Sequence, residues 1–224
     1  NVNSHFGIMD VCGFPKNIYY YYKSWWTDED VIHISPHWNW NEKIGQPIEI
    51  WVNSNADDVE LFLNGKSLGK KTMPRNSHLK WEVTYEPGTL EAIGYKKGKK
   101  ISTKVETTST PYKVIATTEK NILTADGKDA TVVNISIVDE KGREVPVADN
   151  MVKFFLKGDA KIIGVGNGDP SSHEPDQFLD GAWQRSAFNG KCQVIILSGK
   201  TKGEFQLEVK SNGLASDVIS FTQK

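Results

Sequence analysis

The sequence lacks the features that identify several large classes of protein. Its 224 residues contain no apolar run near the roughly 20 residues that span a bilayer. It has only two cysteines, Cys12 and Cys192, and they lie too far apart in the chain to indicate a disulfide framework. The formal net charge is -1, so the concentrated basic surface that nucleic-acid binding requires is absent. We therefore expect a globular protein without a membrane span and without a nucleic-acid partner.

Catalytic signatures are missing as well. The chain has no Ser/His/Asp order, Walker loop, HExxH or CxxC motif. The run GVGNGDP (164–170) follows a predicted strand, but a polar loop comes next in place of the helix that a phosphate loop needs. Most acidic residues stand in turn-like contexts such as 55–58 and 139–142, where we predict solvated side chains. The sequence therefore predicts no catalytic residue, no metal site and no cofactor in this chain.

The first 28 residues differ in character from the rest. Residues 6–9 are apolar and predict a buried strand, a Gly- and Pro-containing loop follows, and residues 18–26 predict a helix capped by Asn17. The helical period places three aromatic residues on one face: Tyr19, Tyr22 and Trp26. One strand and one helix cannot bury their own faces, so this stretch indicates the end of a larger domain. We expect the aromatic face to pack on the following domain, to self-associate or to be poorly ordered.

From residue 31 the hydrophobic period changes to two, which indicates strands. Asn64-Gly65 between two alternating runs is the strongest short-range signal of a hairpin, because both turn residues need positive φ. Residues 108–111 (TSTP) are typical of a linker, and a second set of short strands follows. We predict a mainly β chain with two immunoglobulin-like β-sandwich domains in tandem, at 29–108 and 112–224.

Two segments are candidates for function. Trp38 and Trp40 lie in an aromatic loop, where they stack on sugar rings or pack against a neighbouring domain. The long irregular loop 166–184 is rich in side chains with oxygen or nitrogen ligands: Asp169, His173, Glu174, Asp176 and Asp180. Such loops can hold calcium, but the spacing matches no EF-hand, so we predict a hydrogen-bonded structural loop and keep a metal site as the alternative.

Three blocks of sequence resemble the C-terminal part of bacterial glycoside hydrolase family 2 enzymes of the β-galactosidase type. Residues 4–17 (SHFGIMDVCGFPKN), with Tyr19-Tyr20 and Lys23-Ser24-Trp25 after them, are similar to the last strand and helix of the family's catalytic TIM barrel. HWNW at 37–40 and DVELFLNGKSLG at 58–69 resemble the β-sandwich that follows the barrel. The segments 126–150 and 164–190 resemble the terminal immunoglobulin-like domain. The likeness covers nearly the whole chain.

The resemblance implies a retaining, exo-acting β-galactosidase or a close relative, whose two catalytic glutamates lie on earlier barrel strands. Neither glutamate has a matching position here, so this chain alone should be inactive. Residues 1–28 would be a remnant of the barrel, and its loop would lie on the rim of the substrate site, since TIM-barrel sites form at the C-terminal ends of the strands. The candidate rim residues are Asp10, Phe14 and Lys16.

The expected partners are the upstream catalytic domain of the same polypeptide and a carbohydrate substrate, with artificial self-association through the aromatic helix as a further expectation. The resemblance also implies a periplasmic or extracellular location, because polysaccharide-degrading relatives are commonly exported. Two alternatives stay open: an independent carbohydrate-binding module working through Trp38, Trp40 or Trp81, and an immunoglobulin-like adhesion or spacer protein.

Overall fold

The computed structural model describes residues 6–179 and 181–224, and it is mainly β. The elements of the N-terminal half are α1 (Asn17–Trp26), β1 (Ile32–Ser35), β2 (Pro47–Ser54), β3 (Asp58–Leu63), β4 (Lys66–Thr72), β5 (Leu79–Thr84), β6 (Thr89–Lys96) and β7 (Lys99–Glu106). Those of the C-terminal half are β8 (Lys113–Thr117), β9 (Ile122–Leu123), β10 (Ala130–Val138), β11 (Met151–Lys157), β12 (Ala160–Gly166), β13 (Trp183–Ser186), β14 (Lys191–Ser198), β15 (Gly203–Ser211) and β16 (Asp217–Gln223). The tandem sandwiches predicted from the sequence are confirmed.

The described chain divides into two compact units. The first sandwich unit comprises residues 15–107, and the second comprises residues 108–224 together with 6–14. The predicted boundaries 1–28, 29–108 and 112–224 refer to a longer protein and stay a prediction. Among the described residues, none of the helical segments has the length and apolar character of a membrane span.

Two antiparallel sheets enclose the core of the first sandwich unit, with strand orders β1-β2-β5 and β4-β3-β6-β7. Strand β2 shows why the residues divide between two faces. Ile48, Ile50 and Val52 alternate inward and are almost fully buried, whereas Glu49 and Trp51 point to the outer face. The inward set packs with residues of the opposite sheet in one apolar cluster, which holds the sheets together.

Asn64 and Gly65 form the turn between β3 and β4, as predicted. Their φ angles are 49° and 80°, which matches the positive values that a tight hairpin turn demands. The β3–β4 pairing on either side of the turn is antiparallel.

The second sandwich unit has the strand orders β12-β14-β10-β8 and β13-β11-β15-β16-β9. Its core is a separate apolar cluster, with inward residues from β10 in one sheet and β15 in the other. Two short strands, β9 and β13, were not predicted. With two and four residues they are too short to show a two-residue period, and tertiary pairing with β16 and β11 creates them.

Asp139, at the end of β10, is buried although the sequence predicts a solvated turn. Its Oδ1 accepts hydrogen bonds from the backbone N–H groups of Lys141 and Arg143, at 2.9 and 3.0 Å. Its Oδ2 accepts from Nε of Arg143 at 2.9 Å and from N–H of Ser109 at 3.1 Å. Burial by itself would raise the pKa of Asp139, but these donors outweigh it and hold the pKa well below its ordinary value. The carboxylate thus ties the predicted linker to the second sandwich.

Helix α1 packs on the first sandwich, but through a different face from the one predicted. The ring of Tyr20 stacks on His33 with a centroid distance of 3.7 Å, and Nε1 of Trp25 donates to the carbonyl of Ser77 at 3.1 Å. Trp26 is 75% exposed, and the self-association expected of the aromatic face stays a prediction. The period alone identifies an aromatic stripe, but six of the ten positions of this helix are aromatic and lie on several faces, so the period does not select the contact face.

Two further expectations for the N-terminal stretch are wrong. Lys16 occupies the N-cap position of α1, and Asn17 lies inside the helix with its Oδ1 3.1 Å from Nε2 of His33. Residues 6–9 form no strand, and Phe6 is 91% exposed. A strand needs a neighbour for its backbone hydrogen bonds, and no strand of the second sandwich unit pairs with this segment among the described residues.

Candidate functional sites

The side chain of Asp10 stabilises the loop from Asp10 to Phe14. Oδ1 of Asp10 accepts hydrogen bonds from the backbone N–H groups of Cys12 and Phe14, both at 2.9 Å. The N–H of Asp10 also donates to the carbonyl of Phe14 at 2.9 Å, and Gly13 supplies a positive φ of 81°. Asp10 therefore acts as the internal brace of this loop.

This loop packs closely on the loop that follows β12. Nε2 of Gln193 donates to the carbonyl of Cys12 at 2.8 Å. A Cβ atom at Gly166 would lie 3.1 Å from Sγ of Cys12, and one at Gly168 would lie only 2.0 Å from Oδ2 of Asp10. Gly166 and Gly168, two of the three glycines in the run 164–170, are thus needed for close approach between these segments. Burial, and then the nearby carboxylate of Asp10, raises the pKa of Cys12 to about 11, so its thiol stays protonated.

The other two predicted rim residues belong to different units. The ring of Phe14 lies in the second sandwich unit, with Nζ of Lys191 5.5 Å from its centroid. Lys16 lies in the first sandwich unit, where its carbonyl accepts from the N–H of Tyr19 at 2.9 Å. The assignment of Asp10, Phe14 and Lys16 to a substrate rim stays a prediction.

A cleft of about 800 Å³, here called the Arg185 cleft, lies beside this loop in the second sandwich unit. Arg185 is buried and donates from Nη1 to the carbonyl of Glu174 at 2.8 Å and from Nη2 to Oδ1 of Asn167 at 3.2 Å. Nδ2 of Asn167 donates to the carbonyl of Ser186 at 2.8 Å, and the carboxylate of Glu174 accepts from the N–H of Ser186 at 2.8 Å. Nε of Arg185 has no hydrogen-bond partner among the described residues, with Glu174 3.9 Å away. Most of the polar groups of this cleft therefore satisfy one another.

The acidic residues of the loop after β12 do not converge. Among the described residues, no three His, Cys, Asp or Glu side chains are grouped as a metal site would need. Oδ1 of Asp169 instead accepts from the N–H of Ser171 at 2.8 Å, which is a local turn contact. Asp180, which the sequence places in the same set, lies outside the described residues.

Two of the predicted sugar-stacking tryptophans are in the core. Trp38 is fully buried and Trp81 is 5% exposed, so neither ring offers a face to a sugar. Trp38 packs on Tyr85 within its own sandwich rather than on a neighbouring domain. Trp40 is half-buried, its ring is stacked on His37, and its role in sugar stacking stays a prediction.

The first sandwich unit carries a second cleft, of about 580 Å³, that the sequence did not reveal. We call it the Trp51 cleft. It lies on the outer face of the sheet β1-β2-β5, beside α1, and is lined by Asn17, Ile18, Tyr21, Ser35, Pro36, Glu49, Trp51, Asn53, Asn76, Ser77 and His78. Trp51 is stacked on His78 with a centroid distance of 4.2 Å and an interplanar angle of 11°. One wall is thus aromatic and the opposite wall is helical.

Comparison with known proteins places this fold among glycosidases. Residues 115–220 match the family described as glycoside hydrolase family 2 C-terminal domain 5, and residues 45–102 match a domain of unknown function. The chain is 44% identical over 223 residues to a β-galactosidase of Bacteroides ovatus, a match that covers 98% of this chain and 26% of that protein. It is 40% identical over 200 residues to a putative β-glucuronidase of Formosa agariphila, covering 85% of this chain and 19% of that protein.

Solved structures agree with the sequence relatives. A crystal structure of a β-glycosidase from Bacteroides vulgatus is similar with a TM-score of 0.92 and 34% identity, covering 98% of this chain and 28% of that one. A β-glucuronidase of glycoside hydrolase family 2 is similar with a TM-score of 0.83 and 27% identity, covering 97% and 22%. The chain spans about a quarter or less of the length of the two curated relatives described above.

Glycosidases match both β-sandwiches of this chain along nearly their whole length. The chain is therefore of the class of β-sandwich portions of carbohydrate-hydrolysing enzymes. Within that class, the chain belongs to glycoside hydrolase family 2, and it corresponds to the C-terminal, non-catalytic portion.

Proposed function

We propose that this chain is the C-terminal portion of a retaining β-galactosidase-type glycoside hydrolase, in which it supports and positions the substrate site. The identity of 44% to a β-galactosidase over 98% of the chain is the observation that carries the proposal. Retaining hydrolysis needs two carboxyl groups about 5–5.5 Å apart, one as nucleophile and one as acid and base. We assign these to two glutamates outside this chain, so the chain alone does not hydrolyse glycosides.

The positioning role falls to the loop 10–16. We propose that residues 6–9, which form no strand in this chain, pack against the catalytic barrel of the longer protein, which would give Phe6 the cover that this exposed side chain needs. The loop that follows would then lie at the substrate rim. In this arrangement the Asp10 brace and the close approach of Gly168 would fix the loop, while Phe14 and Lys16 contact the substrate.

The test compares the longer protein with this chain. The protein encoded by the whole gene should hydrolyse p-nitrophenyl β-galactoside and release the β-anomer first in proton NMR, whereas the purified chain should release no nitrophenol. Phe14→Ala and Lys16→Ala in the longer protein should lower kcat/KM, with Tyr112→Ala, at an exposed position, as the control. Release of the α-anomer first, or turnover by this chain alone, would contradict the proposal. Preference for p-nitrophenyl β-glucuronide would move the substrate class toward that of the second relative.

We also propose that the longer protein acts in the periplasm or outside the cell. Cell fractionation with an antibody against this chain tests it, and recovery of the protein in the cytoplasmic fraction would overturn it.

A further inference from the structure

The Trp51 cleft is lined by two largely buried polar residues whose side chains make no hydrogen bond within the described part of the chain. Ser35 and Asn53 are 6% and 4% exposed, and both line the cleft. Their backbones pair in the β1–β2 ladder, but no hydrogen bond of the Ser35 hydroxyl or the Asn53 side-chain amide occurs within the described part of the chain. The fully buried side-chain atoms that lack a partner among the described residues are Nε1 of Trp81 and Nε of Arg185, so the Ser35 hydroxyl and the Asn53 amide reach the open space of the cleft. The floor of the cleft therefore presents two hydrogen-bonding groups that a ligand or water can meet.

The walls of the cleft are apolar and rigid. The stacked rings of Trp51 and His78 form one wall, and Ile18 and Tyr21 of α1 form the other. Tyr21 is fixed because its hydroxyl donates to the carbonyl of Asn76 at 2.8 Å. An aromatic wall above a polar floor suits a ring that has an apolar face and several hydroxyl groups, since the face packs on the rings while the hydroxyls meet the floor.

The carboxylate in the lining of the cleft disfavours an anionic ligand. Glu49 is the only charged residue in the lining, and its carboxylate accepts a hydrogen bond from Nε1 of Trp51. The ammonium of Lys80 pairs with the carboxylate of Glu49 at 3.6 Å and lies 4.3 Å from the centroid of the Trp51 ring. Each of these contacts of an exposed lysine is weak, so a ligand can displace the side chain from the ring at small cost.

We propose that the Trp51 cleft binds a neutral saccharide, whose ring packs against Trp51 and His78 and whose hydroxyl groups hydrogen-bond to Ser35 and Asn53. The site goes beyond the proposed function, because it uses none of the rim residues and needs no hydrolysis. It gives the first sandwich unit a sugar contact of its own, through a tryptophan on the outer face of β2 instead of those in the core.

Binding is tested on the whole chain with 5-fluorotryptophan incorporated, so that each of the seven tryptophans gives its own fluorine resonance. Trp51→Phe assigns the cleft resonance and Trp26→Phe assigns that of the exposed helix residue. The probes are neutral di- and trisaccharides of galactose, glucose, mannose and xylose, in both anomeric linkages, up to about 10 mM, where millimolar binding saturates. At least one of them should shift the Trp51 resonance saturably and leave that of Trp26 unchanged.

Two variants and a control decide the location. Asn53→Ala and Trp51→Ala should each weaken binding by about tenfold or more, since a hydrogen bond to the floor and the aromatic wall are lost. Trp26→Ala, at a 75% exposed position outside the lining, should bind as the parent does. Circular dichroism melting of each variant confirms that it is folded, and Asn53→Ala keeps the test valid if the tryptophan variant is not.

Three results would overturn the site. The first is that no probe gives a saturable shift, which would leave water as the occupant. The second is undiminished saccharide binding by both cleft variants, and the third is equal or tighter binding of a glucuronic acid disaccharide. Because no hydrolysis is measured, failure here leaves the proposed function of the longer protein unaffected.

Discussion

The two clefts differ in how their buried polar groups are satisfied. In the Arg185 cleft, Asn167 makes three hydrogen bonds to neighbouring groups of the same unit. In the Trp51 cleft, Asn53 makes none with its side chain among the described residues. Polar groups that mostly bond to one another, as around Arg185, stabilise a loop, whereas polar side chains that face an open cleft without such partners can meet a ligand. Polar residues in a cavity therefore indicate binding only when their partners have been accounted for.

The largest effect on stability should come from the buried hydrogen-bond network of Asp139. Asp139→Ala removes the acceptor of Arg143, Lys141 and Ser109, and should lower the free energy of unfolding by about 3 kcal/mol or more. Urea unfolding of the chain measures it. Glu140→Ala, at the neighbouring exposed position, should change stability by less than about 0.5 kcal/mol. Equal effects of the two substitutions would show that the buried network does not matter.

The same carboxylate gives a pH dependence of known sign. The pKa of Asp139 is lower in the folded chain than in the unfolded one, so its contribution is present above the ordinary carboxyl value of about 4 and is lost as the pH falls below it. The stability difference between parent and Asp139→Ala should therefore shrink in acid. A difference that grows below pH 4 would contradict the network.

A matched pair of asparagines tests the comparison directly. Asn167→Ala should lower the free energy of unfolding by about 2–3 kcal/mol, because Arg185 and the carbonyl of Ser186 lose partners in a buried place. Asn53→Ala should cost less than about 0.5 kcal/mol, since no intramolecular hydrogen bond of its side chain is broken. Urea unfolding of both variants at pH 7 is the measurement. A large loss for Asn53→Ala would show that the floor of the Trp51 cleft is structural.

A pair of glycines on one side of the Arg185 cleft probes the contact with the loop 10–14. Gly168→Ala would bring a Cβ to 2.0 Å from Oδ2 of Asp10, so we expect a loss of about 1–3 kcal/mol and faster amide exchange at Cys12 and Phe14. Gly164→Ala meets only ordinary contact, with its nearest atom at 3.7 Å, and should leave both loops protected. Unchanged exchange in Gly168→Ala would remove the proposed support of the rim.

Much of the fold was accessible from the sequence because strand alternation is a local property. The run 48–52 predicts which residues face the core, and the structure follows it. The same alternation points Trp51 outward, so the wall of the cleft could have been found by asking which aromatic residues occupy outward positions. Trp38 and Trp81 attract attention by residue type alone, yet their positions are inward and they are buried.

What the sequence could not supply is the pairing between distant segments. Arg185 meets Asn167 and Glu174 only because β13 adds to the edge of β11, and that strand has too few residues to show a period. The burial of Asp139 likewise depends on Arg143 and on Ser109, which is thirty positions away. Local composition predicts solvated turns at such places, and tertiary partners reverse the outcome.

The smallest expected effect concerns the helix that forms one side of the Trp51 cleft. His33 of β1 is stacked under Tyr20 of α1, and burial lowers its pKa to about 4. Because the unfolded imidazole has a pKa near 6.5, the stability that this packing gives is present above pH 6.5 and is lost as the pH falls toward 4. We expect the free energy of unfolding to fall by about 1 kcal/mol over this pH range. The His33→Phe variant should show less of this pH dependence, because it keeps a ring under Tyr20 without a titrating group. An NMR titration of His33 with an apparent pKa near 6.5 would show that α1 does not cover this ring, and the helical wall of the cleft would then be open to solvent.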